Sequence, residues 1–386
     1  MLFVDCWIDG RRVDLRVDGG LIVELGRLDP RPGEEVLARG TVCPHLAEPH
    51  VHLDAALLGR RAPNVSGTLE EGIANWAALR DGLGRQDVLD RARETLGWYA
   101  SFGCTRVRTH VDTGCLENVA ALIELRDTWT GGQLQVVAFP QEGMLTSPRH
   151  EEHWREAVLM GCDAVGAIPH FEPTRGSGDR SLRLACELAS ERGLYVDVHC
   201  DERETDEFRH LLTLCRLSME LGLEGRVVAG HCTAMHHWSD ELAAQGIELV
   251  LESGVQVVTN PFDNIVLLGR GSYPRTRGHT RVDELWAAGA SVGIGHDSVM
   301  DPWYRLGNAN LVEAAYMLVH YAHLTSEEQL VRAFTTLSSD NHRCFGSVPR
   351  LEVGQPADLL FYEAADPAEV LRLRPAPRVL RASAPS

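Results

Sequence analysis

The stretch LYVDVHCDE, residues 194–202, decides the fold, because it contains the unit from which the chain is built. It begins as a short run rich in apolar and β-branched residues, which is typical of a buried strand. It ends in polar residues able to do chemistry, among them His199 and Glu202. A chain that repeats this unit places a candidate functional group at the end of each strand.

Seven further runs have this form, so the chain contains eight in all. From the second of the eight onward, the runs are spaced by roughly 30 residues, which suits one strand plus one helix. Helical patterns such as ENVAALIELRDTW (117–129) and SLRLACELASERG (181–193) lie between them, and Gly193 is a predicted helix C-cap. The alternation predicts an α/β fold, a parallel (β/α)8 TIM barrel with its active site at the C-terminal strand ends. The seven runs are LAEPHVH (46–52), TRVRTHVD (105–112), LQVVAFPQE (134–142), DAVGAIPHFE (163–172), RVVAGH (226–231), VQVVTNP (255–261) and SVGIGHD (291–297).

The two ends of the chain read differently from the middle. Residues 1–45 contain short alternating stretches with glycine turns, and residues 351–363 contain two more strand-like pieces. We therefore predict a small β-sandwich-like domain formed by residues 1–45 and 349–386, beside a barrel of residues 46–348. The wide gap between the first two runs has room for a helix and for an inserted loop containing SGTLEEGI (66–73). Long loops at the top of a barrel often line the pocket.

Bulk properties exclude several classes of partner. The formal net charge is −18 and no cluster of basic residues stands out, so we expect no nucleic-acid partner. No apolar run approaches the roughly 20 residues that span a bilayer, so we expect no membrane partner. The ten cysteines are scattered without CxxC pairs, and the N-terminus does not resemble a secretory signal. Both features predict buried free thiols and a cytoplasmic protein.

Histidines and one acid at the strand ends predict a metal centre. His50 and His52 stand at i and i+2 of a strand and therefore point the same way. His199, His231 and Asp297 stand at the ends of three other predicted strands. Imidazole and carboxylate ligands suit zinc or iron(II). Such an ion lowers the pKa of bound water from 15.7 to about 7, which favours a hydrolytic enzyme with one divalent metal ion.

Glu202 follows His199 by three residues and is the favoured general acid/base, because it stands beside a candidate ligand. Considered alone, Glu202 is better interpreted as a surface acid in an acidic loop. Asp297 is placed both to bind metal and to accept a proton from water. Other polar residues near strand ends stay open between substrate contact, structural support and solvent exposure: Arg108, His110, His170, Glu172, His236, His237, Asn260, Asp263 and Asp301.

The motifs HVH, HCDE, GHCTAM and GHD resemble the amidohydrolase superfamily, and their flanking sequences are similar to bacterial cytosine deaminases. The resemblance runs over essentially the whole chain, including the terminal β segments. The segments that carry it are EPHVHLD, SGTLEEGI, VRTHVD, VVAFPQEG, VGAIPHFE, DVHCDE, NPFDNI, SYPRTRG and GHDSVMDPWYRLGNAN.

The resemblance implies one catalytic zinc or iron ion and a hydrolytic deamination that releases ammonia from a small heterocyclic base. His231 would polarise or hold the attacking hydroxide, and Glu202 would carry a proton from water to a ring nitrogen. Gln141 would read the carbonyl and nitrogen edge of the base, because its amide both donates and accepts. The implied ligands are His50, His52, His199 and Asp297, and the other implied pocket residues are Leu69, through its backbone, and Trp303.

The sequence contains no lysine. Binuclear amidohydrolases of the dihydroorotase and hydantoinase kind bridge two metal ions with a carboxylated lysine, which this chain cannot do. The paired HxE and PCxxC signature of the other deaminase zinc site is also absent. The first absence favours a mononuclear centre, and the second excludes that other zinc site.

Ser298 departs from the resemblance, because the cytosine deaminases carry a second acid at this position, as GHDD. A serine is smaller and neutral, and it donates as well as accepts. We therefore expect the reaction class to be kept and recognition of cytosine itself to change. The alternatives are the same reaction on isocytosine, a pterin, an aminopurine, a creatinine-like ring or an N-alkylated aminotriazine, and, ranked lowest, a non-catalytic base-binding barrel. A homo-oligomer is left open.

Overall fold

The structure is a computed structural model that describes residues 1–271 and 273–382. Strands from both ends of the chain form one seven-stranded sheet, in the order β15-β14-β5-β1-β2-β3, with β4 beside β1. The predicted small β unit built from both termini is therefore confirmed, and residues 383–386 of its predicted range lie outside the described residues. Its strands are β1 (Leu2–Ile8), β2 (Arg11–Asp18), β3 (Leu21–Gly26), β4 (Val36–Ala38), β5 (Thr41–Pro44), β14 (Leu359–Tyr362) and β15 (Arg378–Leu380).

Eight parallel strands form the barrel, and they follow one another in chain order around it. Each lies within or beside one of the eight apolar runs, so the predicted (β/α)8 barrel is confirmed. The strands are β6 (Leu46–Val51), β7 (Cys104–Asp112), β8 (Gln133–Phe139), β9 (Ala164–Ala167), β10 (Tyr195–Cys200), β11 (Val227–His231), β12 (Gln256–Thr259) and β13 (Val292–Ile294).

Helices cover the outside of the barrel, and α5 ends as predicted at Gly193, which takes a left-handed φ of 69°. The helices are α1 (Leu69–Arg80), α2 (Arg85–Ser101), α3 (Leu116–Thr128), α4 (Pro148–Leu159), α5 (Arg175–Arg192), α6 (His210–Glu220), α7 (Asp240–Ser253), α8 (Pro261–Leu267), α9 (Val282–Ala287), α10 (Leu311–Tyr321), α11 (Glu327–Thr336), α12 (Asp340–Arg343) and α13 (Pro367–Leu373), with short 3-10 turns at Pro169–Phe171 and Thr233–His237.

Two local expectations need correction. The segment SGTLEEGI is only partly a loop, because α1 begins inside it at Leu69 and is capped by the Thr68 hydroxyl, which accepts from the N–H of Glu71. The two strand-like pieces expected within residues 351–363 give one strand there, β14, and the second C-terminal strand, β15, lies further on. A single bridge between Leu21 and Pro356 takes the place of the missing strand.

The barrel closes between its first and last strands. Asp297, which follows β13, pairs with Val51 of β6 as an isolated parallel bridge. Its N–H donates to the carbonyl of His50 at 2.9 Å, and its carbonyl accepts from the N–H of His52 at 3.2 Å. The seam is therefore made by the backbone of residues predicted as metal ligands.

The side chain of Asn341, on α12, joins the same two strands lower down. Its Nδ2 donates to the carbonyls of Ala47 and Ile294 at 2.7 and 2.8 Å, and its Oδ1 accepts from the N–H of Ile294 at 2.8 Å. One buried amide thus completes hydrogen bonds that the short strand β13 leaves open on the β6 side.

Glu48, a buried residue of β6, also stabilises the seam. Its carboxyl group accepts hydrogen bonds from the N–H groups of His50 and His296, at 2.9 and 3.0 Å, and from the Tyr99 hydroxyl at 2.9 Å. Burial raises the pKa of Glu48 to about 8. The backbone on both sides of the seam is therefore tied to one buried side chain.

All ten cysteines are free thiols and nine of them are buried, as expected from their scattered positions. Among the described helices, none has the length and hydrophobicity needed to cross a bilayer.

We predict that Asn341→Ala lowers the free energy of unfolding by about 3 kcal/mol or more, because it leaves several buried backbone groups unpaired. Urea denaturation followed by circular dichroism measures the change. Asn75→Ala is the control, since that side chain makes one exposed hydrogen bond, to the carbonyl of Pro63. The control should stay within about 0.5 kcal/mol of the wild type. Equal losses in both variants would contradict a seam role for Asn341.

Candidate active site

The four predicted metal ligands meet at the carboxyl end of the barrel, where all are buried. The Nε2 atom of His199 lies 3.2 Å from Nε2 of His50 and 3.1 Å from Nε2 of His52. Asp297 Oδ1 lies 3.7 and 3.5 Å from the same two nitrogens of His50 and His52. Ligands held at about 2.0–2.1 Å around a tetrahedral ion are about 3.3 Å apart, so this spacing fits a metal site.

The histidine nitrogens need a cation between them. Burial, followed by the charges of neighbouring histidines, holds the pKa of His50, His52 and His199 below the ordinary value, so the rings are neutral at pH 7. A neutral imidazole carries one N–H. His199 Nε2 faces two other ring nitrogens and cannot donate a single proton to both. A metal ion that accepts all three lone pairs satisfies the arrangement, and the same histidines recur in the buried groups with metal-site spacing.

His231, at the end of β11, is oriented by an asparagine on α8. The Oδ1 atom of Asn264 accepts from the N–H of Asn260 at 3.3 Å, which turns its Nδ2 toward Nδ1 of His231 at 2.9 Å. Burial lowers the pKa of His231 to about 3, so the ring is neutral. Because Nδ1 accepts from Asn264, we assign the ring proton to Nε2, which lies 3.8 Å from Asp297 Oδ2 and 3.2 Å from the side-chain amide of Asn260. His231 therefore offers an N–H donor to the site.

The two predicted acid/base groups occupy different positions. Asp297 turns Oδ1 toward His50 and His52 and Oδ2 toward His231, so one oxygen faces the predicted histidine ligands and the other faces His231. Glu202 follows β10, and its Oε1 lies 3.5 Å from Nδ1 of His231. Burial raises the pKa of Glu202 to about 8, close to the neutral range in which a general acid or base works well.

A small cavity opens at these groups. The four residues predicted to contact substrate all line it, and so does Glu202. Leu267 of α8 also lines it and was missed, because a leucine in a helical pattern carries no functional signal. The four predicted contact residues are Leu69, Gln141, Ser298 and Trp303.

The aromatic wall of the cavity depends on α1. The Trp303 ring lies 5.6 Å from the ring of His52 and 6.4 Å from that of Trp76 on α1. A Cβ atom on Gly72 would come within 2.4 Å of the Trp303 ring, so a glycine is needed for this approach. Asp301 braces the loop, because its Oδ1 accepts from the N–H of Trp303 at 2.9 Å.

Ser298 does not point a free hydroxyl into the cavity. Its Oγ donates to Oδ1 of Asp263 at 2.7 Å, and both side chains are buried. Asp263 comes from α8, after strand β12, and it also lines the cavity. The Asp263 carboxyl group, from the helix that follows β12, thus lies beside Ser298, which follows the neighbouring strand β13.

Arg108 and His110 lie beneath the metal ligands, inside the barrel. Arg108 donates to Asp197 Oδ2 at 2.8 Å, and Nε2 of His110 lies 3.1 Å from the other oxygen of Asp197. The His110 ring is 4.1 Å from the ring of His50. This buried ion pair supports the floor of the site, which was one of the roles left open for these residues.

Of the other residues left open, Asn260 belongs to the cluster, because its side-chain Nδ2 lies 3.2 Å from Nε2 of His231, whereas His170, Glu172, His236 and His237 lie outside it. His170 and Glu172 belong to the outer wall of the β9 end, where Glu172 accepts from the N–H of Met144 at 2.8 Å. His236 is exposed and His237 half-buried, in the 3-10 turn after β11. Solvent exposure was the expectation for both.

The family model of the amidohydrolase family matches residues 56–380 of the chain. Among solved structures, the 5-methylcytosine deaminase of Klebsiella pneumoniae liganded with phosphonocytosine superposes with a TM-score of 0.92 at 32% identity. That likeness covers 99% of this chain and 97% of the other.

Two curated relatives share most of their length with this chain. A pterin deaminase of Rhizobium rhizogenes is 28% identical, over 96% of this chain and 86% of the relative. An N-isopropylammelide isopropyl amidohydrolase of a Pseudomonas species is 25% identical, over 92% of this chain and 88% of the relative.

We predict that the wild-type protein retains about one divalent ion per chain and that His199→Ala loses most of it, since this side chain faces both other histidine ligands. Elemental analysis of proteins purified in parallel measures the zinc and iron content. The control is His236→Ala, whose side chain is exposed and outside the cluster, and its metal content should equal that of the wild type. Full metal content in His199→Ala would contradict the ligand set.

Proposed function

The chain belongs to the amidohydrolase family, and we propose that it is a metal-dependent hydrolase that deaminates a cytosine-like heterocyclic base. One observation carries the proposal: Glu202, with its raised pKa, shares a small buried cavity with the histidine and aspartate cluster. A general acid beside a potential source of hydroxide is what hydrolysis of an amidine-like carbon requires.

A divalent ion, zinc or iron(II), held by His50, His52, His199 and Asp297 would lower the pKa of a bound water to about 7. The protein's own groups then manage the protons. Oδ2 of Asp297 accepts a proton from the attacking water, and the Nε2–H of His231 holds the water oxygen by a hydrogen bond.

Substrate activation falls to Glu202, which delivers a proton to the ring nitrogen beside the amino-bearing carbon as the water oxygen adds to that carbon. Asp297 then passes the proton that it took from water to the amino group, which leaves as ammonia, and the hydroxyl proton returns to Glu202 as the ring carbon becomes a carbonyl. The Gln141 amide pairs with the carbonyl and nitrogen edge of the base, and Leu69 and Trp303 exclude water around it.

A second candidate is the same reaction on a different ring, such as a pterin. It is favoured by the pterin deaminase relative and by the serine at position 298, where cytosine deaminases carry an acid. An N-alkylated aminotriazine would instead release an alkylamine, so analysis of the released amine separates these reactions. A non-catalytic barrel would bind such bases without releasing any amine.

We predict that the metal-loaded protein releases ammonia from at least one member of a panel of aminopyrimidines, aminotriazines, pterins and aminopurines. Glu202→Gln should lower kcat by about 10²–10⁴-fold with its metal content unchanged, because it removes the proton donor and leaves the ligands in place. The exposed acid of the same loop gives the matched control, Glu207→Gln, which should keep full activity. If the wild type releases ammonia from no member of the panel, the proposal is refuted.

Position 298 is tested by restoring the acid. We predict that Ser298→Asp gains activity toward cytosine, because it returns a carboxyl group to the place where cytosine deaminases have one. Steady-state kinetics with cytosine and with the best panel substrate measure the change. An unchanged substrate profile would show that position 298 does not select the base.

A further inference from the structure

Asp263 is a buried acid that the steps above do not use. It stands in the first turn of α8, is 2% exposed, and lines the cavity together with Glu202 and Ser298. Its Oδ1 accepts the hydrogen bond from Ser298. Its Oδ2 is equally buried and has no hydrogen-bond partner among the described residues.

A structural role does not account for this carboxyl group. Asp301, its acidic neighbour, also has a buried Oδ2 without a partner among the described residues, but it does not line the cavity, and its Oδ1 shapes a loop by accepting from the N–H groups of Trp303 and Tyr304 at 2.9 Å each. Asp263 gains a single hydrogen bond, from Ser298, within the described ranges. An unpaired buried carboxyl oxygen is unfavourable, and a ligand that pairs with it would recover the lost hydrogen-bond energy.

Strand order places Asp263 relative to the reacting carbon. The sequence of neighbours in the barrel is β10-β11-β12, so Glu202, after β10, and Asp263, after β12, flank His231 at the end of β11. Glu202 serves the ring nitrogen on its own side of the reacting carbon. Asp297 already serves the leaving amino group, so Oδ2 of Asp263 is left for the ring atom on the other side.

We propose that Asp263 reads the ring atom that flanks the reacting carbon opposite Glu202, and that this atom is a nitrogen. The inference rests on the proposed deamination. A carboxylate accepts a hydrogen bond from a ring N–H, and a carboxylic acid donates one to a ring nitrogen lone pair, so nitrogen is preferred in either protonation state. A C–H at this place would leave the buried oxygen unpaired.

The substrate class is therefore a base whose amino-bearing carbon lies between two ring nitrogens, as in a cyclic guanidine. Isocytosine is the simplest member. Cytosine has a nitrogen on one side of its amino-bearing carbon and a C–H on the other. Ser298 supports this role, because its hydroxyl binds one oxygen of Asp263 and leaves the second oxygen for the base.

Isocytosine and cytosine test this, because they are isomers of equal size that differ at the atom in question. With their amino-bearing carbons and carbonyl groups superposed, they also differ at one atom beside the carbonyl, which is N–H in cytosine and C–H in isocytosine. The change in their ratio when Asp263 is substituted therefore isolates the atom that Asp263 contacts. For the metal-loaded wild type, kcat/KM for isocytosine should exceed that for cytosine by at least about 100-fold, since sites built to pair a polar group reject analogues without it. Asp263→Val should lower kcat/KM for isocytosine by about 100-fold and change that for cytosine little. Asp263→Asn, which keeps hydrogen-bonding atoms at the position, should retain a larger preference than Asp263→Val.

The matched control is Asp283→Val, which alters an exposed acid in the first turn of the next helix, α9, and should keep the wild-type ratio. The ratio of two substrates on one sample does not depend on the folded fraction. A wild-type preference for cytosine overturns the inference and leaves the proposed deamination standing. Equal losses on both isomers in Asp263→Val also overturn it, because Asp263 would then contact the shared amino group. If the wild type deaminates neither isomer nor any other base of the panel, the proposed function fails too.

Discussion

The closure of the barrel at Asp297 is the interaction on which the rest of the site depends. Its backbone bonds to His50 and His52 join the first strand to the last. The same three side chains are the proposed ligands, so they come together only when the barrel is closed. Because β13 is only three residues long, Asn341 and Glu48 carry much of the remaining pairing across this seam. The helices that carry Asn341 and the Glu48 partner Tyr99 therefore help to position the site, because both side chains hold the seam together.

Closure also fixes backbone conformations that most residues avoid. His231 and Asp297 both take left-handed φ values, 67° and 66°, although neither is a glycine. Such conformations cost of order 1–3 kcal/mol each and persist where the surroundings over-determine them. Asp297 is held by its two seam bonds, and the ring of His231 is held by Asn264. In each case the left-handed residue stands at a strand end and lines the cavity, so the strain accompanies the placement of the functional side chain.

Local sequence patterns were enough to predict the barrel and to predict that the polar residues at its strand ends lie close together. The alternation in His50-Val51-His52 and the repeated apolar runs depend on neighbours in the chain, and the structure brings the predicted residues together. Their chemical roles stay predictions. The pairing of Ser298 with Asp263 joins two strands through residues far apart in sequence, so no local pattern encodes it. The start of α1 was within reach, because Thr68 followed three residues later by Glu71 is a capping signal.

The charge inside the cavity gives the metal a second role. Glu202, Asp263, Asp297 and Asp301 are buried close together, and burial raises the pKa of each. The chain has no lysine to offset them, and Arg108 beneath the site is already paired with Asp197. A divalent ion at the proposed ligands would supply positive charge and would need Asp297 as a carboxylate, so its binding would release protons and weaken as the pH falls. The pKa of Glu202 is raised to about 8 and that of Asp301 to about 7, and burial also raises the pKa of Asp263. A site that must hold a cation and still deliver protons requires this division between one committed carboxylate and several protonatable ones.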